Sequence, residues 1–196
     1  MAGRKGADRE FPASGKKLYL TFDDGPTPGT TPQILEILQR HEAKATFFCV
    51  GENVVKHPDI YQMILASGHG VGNHGYNHLK GWETDTATYT ENVKKCRDVV
   101  NSDLFRPPYG KIRRMQRKVL SKHYRIIMWT VLSRDYDARV DSQTCLEKTW
   151  KHTRPGAIIV FHDHAKSLEK LREVLPEYLR RAKQEGYHFD LIKNAT

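Results

Sequence analysis

The sequence predicts a single α/β domain: a (β/α) barrel of about seven parallel strands. Short apolar, β-rich runs alternate with segments of helical period along the whole chain of 196 residues. About seven such pairs follow one another without an internal repeat or linker, and a parallel sheet with helical crossovers accommodates that order. Residues able to do chemistry cluster just after the apolar runs, where parallel sheets carry their ligand sites. Alternation alone allows an open sheet as well as a barrel; the number of units suits the barrel.

Residues 17–22 (KLYLTF) alternate in polarity and read as the first strand. Residues 32–41 set Ile34, Leu35, Ile37 and Leu38 at helical spacing. Residues 45–50 (ATFFCV) form the second strand. Residues 53–67 read as one helix, and 69–73 as a short strand leaving a glycine turn. Residues 87–101 are the next helix. Residues 103–106 are extended, because Pro107 and Pro108 disfavour helix before them. Helix 111–123 is followed by strand 125–131, and helix 143–153 by strand 157–161. Helix 165–185 places Leu168, Leu171, Val174, Leu175, Tyr178 and Leu179 on one face, with a kink expected at Pro176. Strand 188–192 closes the series. The polar, basic stretch 1–16 reads as a flexible tail or leader, leaving 17–196 as the folded domain.

Composition narrows the classes. Hydrophobic residues make up 38% of the chain, enough for one sizeable core. No apolar run approaches the ~20 residues of a membrane helix, and no apolar segment of a signal peptide is visible. Three cysteines, Cys49, Cys96 and Cys145, are too few and too dispersed for a disulfide framework, and no Cys-x-x-Cys pair occurs. Cys49 sits within an apolar run and reads as a buried small hydrophobe. The formal charge of +9 lies mostly on helix faces, as in Lys111, Arg113, Arg114, Arg117 and Lys118. No nucleic-acid motif accompanies it, so no nucleic-acid partner is expected. Such a surface suits an anionic cell envelope.

Thr21-Phe22-Asp23-Asp24-Gly25-Pro26 holds two adjacent carboxylates at a strand end. Alone it reads equally as a turn or as a site where one acid binds a metal and the other moves protons. His74 and His78 follow the strand 69–73. Four residues apart on a helical turn, they present two imidazoles to one side, and a carboxylate such as Asp24 completes a three-ligand metal set. Arg106-Pro107-Pro108-Tyr109-Gly110, Asp135-Tyr136 and Val160-Phe161-His162 also sit at strand ends. Trp129 suits the core or a pocket wall.

In order, these five motifs resemble those of the polysaccharide deacetylase family, the NodB-homology fold of carbohydrate esterase family 4, over nearly the whole chain. The resemblance implies a distorted (β/α) barrel, and a divalent metal, most often zinc (with Co²⁺, Ni²⁺, Fe²⁺ or Mn²⁺ as alternatives), on Asp24, His74 and His78. It implies Asp23 as general base held by Arg106, the Tyr109 N–H as oxyanion donor, and His162 as general acid oriented by Asp135. Tyr109, Tyr136, Val160 and Trp129 would line the acyl pocket. The implied reaction is deacetylation of N-acetylglucosamine-containing glycans of peptidoglycan or chitin type, in a bacterial envelope or secreted setting. The same machinery also suits acetylxylan, a formylated amino sugar or a small amide. The fourth motif departs from the family pattern, with Leu132 for the usual first Asp and Tyr136 for Trp. Such a change bears on pocket shape, and is the one feature favouring a silent carbohydrate-binding module.

Overall fold

The computed structural model describes residues 7–13 and 15–193. Its centre is strand β1 (Lys17–Asp23), followed by α1 (Thr31–Arg40), β2 (Ala45–Cys49), α2 (Gly51–Lys56), α3 (Pro58–Ala66) and β3 (Gly70–Asn73). Next come α4 (Thr86–Arg97), β4 (Leu104–Phe105), α5 (Arg114–Leu120), β5 (Arg125–Ile126) and β6 (Val131–Leu132). The chain ends through α6 (Ser142–Lys151), β7 (Ile158–His162), α7 (Leu168–Gln184) and β8 (His188–Phe189). The strands run parallel in the order β5-β4-β3-β2-β1-β7-β6, and β8 pairs with the start of β1. No helix among the described residues is long and apolar enough to cross a membrane.

The period of two in each strand sorts its side chains. Leu18, Leu20 and Phe22 of β1, Phe47 and Cys49 of β2, and Ile159 and Phe161 of β7 join the layer packed against the helices. The intervening residues face the barrel interior, where Tyr19, Phe48 and Ile158 form a second cluster with Leu104, Ile127 and Ile192. Thr21 and Asp23 continue the inward row of β1, and Val160 and His162 that of β7. The same alternation that builds the core therefore carries Asp23 and His162 to the barrel mouth, as register partners on adjacent strands.

Four expectations need correction. The helix expected over 53–67 is two helices, α2 and α3. The apolar period runs through the break, but Pro58 starts α3 and holds His57 out of helical geometry (φ −135°, ψ 60°). The strand expected over 125–131 is split into β5 and β6, which lie at opposite edges of the sheet. One continuous stretch thus leaves β4 and arrives at β7, with Ile127 N–H donating to Phe105 and Thr130 N–H to Ile158. This stretch spans the gap between the two edges of the curled sheet. The last helix begins as a 3-10 turn (Ala165–Ser167), and α7 then runs through Pro176. Finally, the span 1–16 is not a free tail throughout. Asp8 and Glu10 bridge to Ile127 and Ala157, and Arg125 and Arg154 pair with their carboxylates, both at 2.6 Å. These partners lie more than a hundred residues away, beyond any local pattern. The rest of the expected tail, residues 1–6 and 14, lies outside the described residues.

Candidate active site

Arg106 is the largest fully buried side chain and organises the floor of the site. Its Nη1 donates to Asp23 Oδ1 and to Thr21 Oγ1, both at 2.7 Å. Nε donates to Ile127 O (3.2 Å) and Nη2 to Met128 O (3.1 Å). These two carbonyls belong to the stretch that interrupts the expected 125–131 strand; they leave the ladder to meet the guanidinium. The guanidinium also lies 4.1 Å from the centroid of the Phe48 ring. Burial works to lower the Arg106 pKa and the Asp23 charge to raise it. Guanidinium stays protonated under either influence. With Oδ1 engaged, Asp23 presents Oδ2, 4.0 Å from His74 Nε2.

Asp24 turns away from its neighbour through a positive φ of 85°. Its Oδ1 lies 3.1 Å from His78 Nε2 and 3.5 Å from His74 Nε2. The ligand atoms of the three residues all fall within 4.8 Å of one another, a group able to hold a metal ion. His74 Nδ1 lies 2.8 Å from Arg106 O. A carbonyl only accepts, so Nδ1 carries the proton and Nε2 offers its lone pair to the cluster. Two imidazole nitrogens and one carboxylate oxygen, with a ring fixed from behind, fit a divalent cation that keeps an open position.

The expected helical turn under the two histidines is absent. Residues 74–78 form a loop with positive φ at Gly75 (79°) and His78 (55°), and the rings sit 5.0 Å apart. Buried Asn73 accepts from Gly75 N–H and donates to Val93 O, both at 2.8 Å. Asn92 Oδ1 accepts from the N–H groups of Tyr76 and Asn77. The carbonyls of Gly75 and Tyr76 accept from Gly51 and Glu52 at the start of α2.

Across the cavity, buried Asp135 grips His162 twice. Oδ1 accepts from Nδ1–H and Oδ2 from the backbone N–H, both at 2.8 Å. Ser133 Oγ adds a bond to Oδ1 at 2.7 Å. Burial works to lower the His162 imidazolium, but the Asp135 charge and hydrogen bond outweigh it and raise its pKa to about 9. The adjacent Asp163 has a separate place. It is buried, accepts from Gly25 N–H (2.9 Å) and Thr31 Oγ1 (2.7 Å), and is pushed by burial up to about 7. A Cβ on Gly25 would sit 1.8 Å from its Oδ2, so glycine is needed there for close approach.

The cavity has a volume of about 570 Å³. Asp23, Asp24, His74, His78, Tyr109, Trp129, Tyr136, Val160 and His162 all line it, while Arg106 and Asp135 stand directly behind. Every residue expected from the motifs is therefore brought together. Tyr109 has φ 58°, and its ring lies 4.7 Å from that of His78. The Tyr136 ring is 4.7 Å from His162. Trp129 meets both expectations, packing beside the interior cluster and lining the wall. Leu132 lies in the wall, where it adds apolar surface. Sequence reasoning missed Asn53, whose Nδ2 donates to Asp24 O at 2.8 Å, and Lys166 at the rim. Neither carries a local pattern that marks it.

A parallel barrel with an Arg-held carboxylate, an Asp-His-His cluster and an Asp-held imidazole at its strand ends defines a hydrolase class. The comparisons name it. The family described as Polysaccharide deacetylase matches residues 11–125, a span containing the first three motifs. A peptidoglycan-N-acetylglucosamine deacetylase of Bacillus cereus is 33% identical over 178 residues, covering 85% of this chain and 64% of that protein. A chitooligosaccharide deacetylase of Rhizobium leguminosarum bv. trifolii is 33% identical over 161 residues, covering 79% of this chain and 74% of that protein. The crystal structure of the Bc1960 peptidoglycan N-acetylglucosamine deacetylase superposes with a TM-score of 0.89 at 30% identity, covering 94% of this chain and 89% of that one. This chain belongs to the polysaccharide deacetylase family.

Proposed function

We propose that this enzyme hydrolyses N-acetyl groups of N-acetylglucosamine units in bacterial envelope glycans of peptidoglycan type, or in chitin-type oligomers. The observation that carries the reading is one cavity of about 570 Å³ holding the Asp-His-His cluster, the free Oδ2 of Asp23 and the His162 ring together. The named relatives support the glycan class. Asp24, His74 and His78 would hold a divalent cation, which when bound would supply Lewis acidity to lower the pKa of water toward ~7 and to polarise a carbonyl. Zinc suits the donor set, and cobalt, nickel, iron and manganese are alternatives.

The protein's own groups then divide the proton traffic. Asp23 Oδ2 takes the proton of the attacking water, and Arg106 fixes the carboxylate through Oδ1. The N–H of Tyr109, aimed by its positive φ, donates to the carbonyl oxygen as negative charge develops there. An amine leaves poorly unless protonated, so His162 Nε2 gives its proton to the departing nitrogen. Asp135 occupies Nδ1 and keeps the ring charged. Trp129, Leu132, Tyr136 and Val160 form an apolar wall for the acetyl methyl. Leu132 and Tyr136 depart from the family's usual residues, which favours a second substrate reading: acetylxylan, a formylated amino sugar or a small amide, cut by the same machinery.

The test is acetate release from chitooligosaccharides, peptidoglycan and acetylxylan, each with chelator and with zinc restored. Chelator-sensitive release from the two amino-sugar glycans, recovered by zinc, is expected. Release from acetylxylan alone would shift the reading to the second substrate class. No chelator-sensitive release from any of them would contradict it.

A further inference from the structure

Trp82 is the most exposed large apolar side chain among the described residues, at 62%. Scattered surface hydrophobics are ordinary, but this one stands on a fixed base. Buried Gln116 donates through Nε2 to the carbonyls of Gly81 (2.8 Å) and Thr84 (3.1 Å). Arg113 donates to Trp82 O, and Thr84 Oγ1 to Lys80 O at 2.9 Å. A Cβ on Gly81 would lie 2.6 Å from Lys111 O, so this turn interlocks with the loop that carries Tyr109 and Gly110 along the cavity wall. The backbone is held on several sides while the indole is left in solvent.

The same rim brings cations to the rings. Lys111 Nζ lies 5.8 Å from the Trp82 centroid, and Lys80 Nζ 5.9 Å from that of Tyr109. Lys80 already pairs with Glu83 at 3.2 Å, which leaves exposed Lys111 as the available charge beside the Trp82 ring. A glycan seated with one acetamido group in the cavity must continue across the rim. A flat indole suits the C–H face of a pyranose, and an ammonium beside it suits an anionic substituent.

Building on the deacetylase reading, we propose that Trp82 and Lys111 form a subsite for the sugar next to the one being deacetylated. Trp82 stacks on that sugar, and Lys111 selects a sugar bearing a carboxylate. The preferred substrate class is then an acidic N-acetylated glycan, such as peptide-free peptidoglycan strands whose lactyl groups end in free carboxylates, over neutral chitin.

Binding decides this without turnover. Zinc-loaded protein carrying Asp23→Asn is titrated calorimetrically with two glycans of equal length: peptide-free peptidoglycan strands and chitooligosaccharide. The acidic strand is expected to bind about tenfold more tightly, and Lys111→Gln to erase that difference. Trp82→Ala is expected to weaken both glycans about tenfold, with Trp82→Phe recovering most of the loss. Equal affinity for the two glycans, a preference that survives Lys111→Gln, or affinities indifferent to both Trp82 variants would overturn the subsite. Absence of acetate release from wild type alongside an intact preference would count against the deacetylase reading alone.

Discussion

On the floor of the cavity, Arg106 is wholly buried and its N–H groups bond to Asp23, Thr21, Ile127 and Met128. On the rim, Tyr109 and Tyr136 are 55% and 44% exposed, and Trp82 more so. A buried charge is tolerable only when paired and fully bonded, so little on the floor can vary independently. Exposed rings on a fixed base make few internal bonds and can change without disturbing the fold. On the proposed reading the contrast separates two tasks: the floor would set where protons go, and the rim which glycan arrives.

The largest effect should come from the floor. Arg106→Met removes the guanidinium while roughly keeping its volume, and strands the Asp23 carboxylate and two carbonyls in a buried place. A loss of about 3–5 kcal/mol in unfolding free energy is expected by denaturant titration, together with loss of acetate release. A variant as stable as wild type would break the distinction between floor and rim. A smaller, pH-dependent effect is expected at the His162 side. With its pKa raised to about 9, His162 keeps its proton below that value and loses it as pH rises through it. Asp135→Asn removes the raising charge, so the alkaline limb of kcat should move down toward 6.5, the ordinary imidazole value. The same linkage stabilises the fold below about 6.5 and is lost as pH rises through about 9. The difference in Tm between wild type and variant should therefore narrow at high pH. An alkaline limb that does not move would remove Asp135 from its orienting role. The rim should give the smallest changes, confined to glycan affinity at Trp82 and Lys111.

Much of the floor is legible in the sequence because each motif ends a strand. Residues 17–22, 45–50 and 157–161 alternate or run apolar, and their ends carry Asp23 and His162 into place. What escapes is long-range. The apolar stretch 125–131 gives no sign that the carbonyls of Ile127 and Met128 will leave the ladder for Arg106. The spacing of His74 and His78 leads to a pair that does come together, but not on a helical turn, because Asn73 and Asn92 fold that segment as a loop. Positive φ at Asp24, His78 and Tyr109 is equally hidden, since none is glycine. Trp82 carries no local signal. Only the packing of Gln116 under its turn shows that an exposed indole is held in place.

The division of labour between the two adjacent carboxylates is the central claim, and paired substitutions with bound zinc and acetate release measured together test it most directly. Asp23→Asn is predicted to retain zinc while acetate release falls roughly 100- to 10,000-fold. Asp24→Asn is predicted to lose zinc as well as activity. Acetate release near the wild-type rate in Asp23→Asn, or full zinc content in Asp24→Asn, would contradict the account.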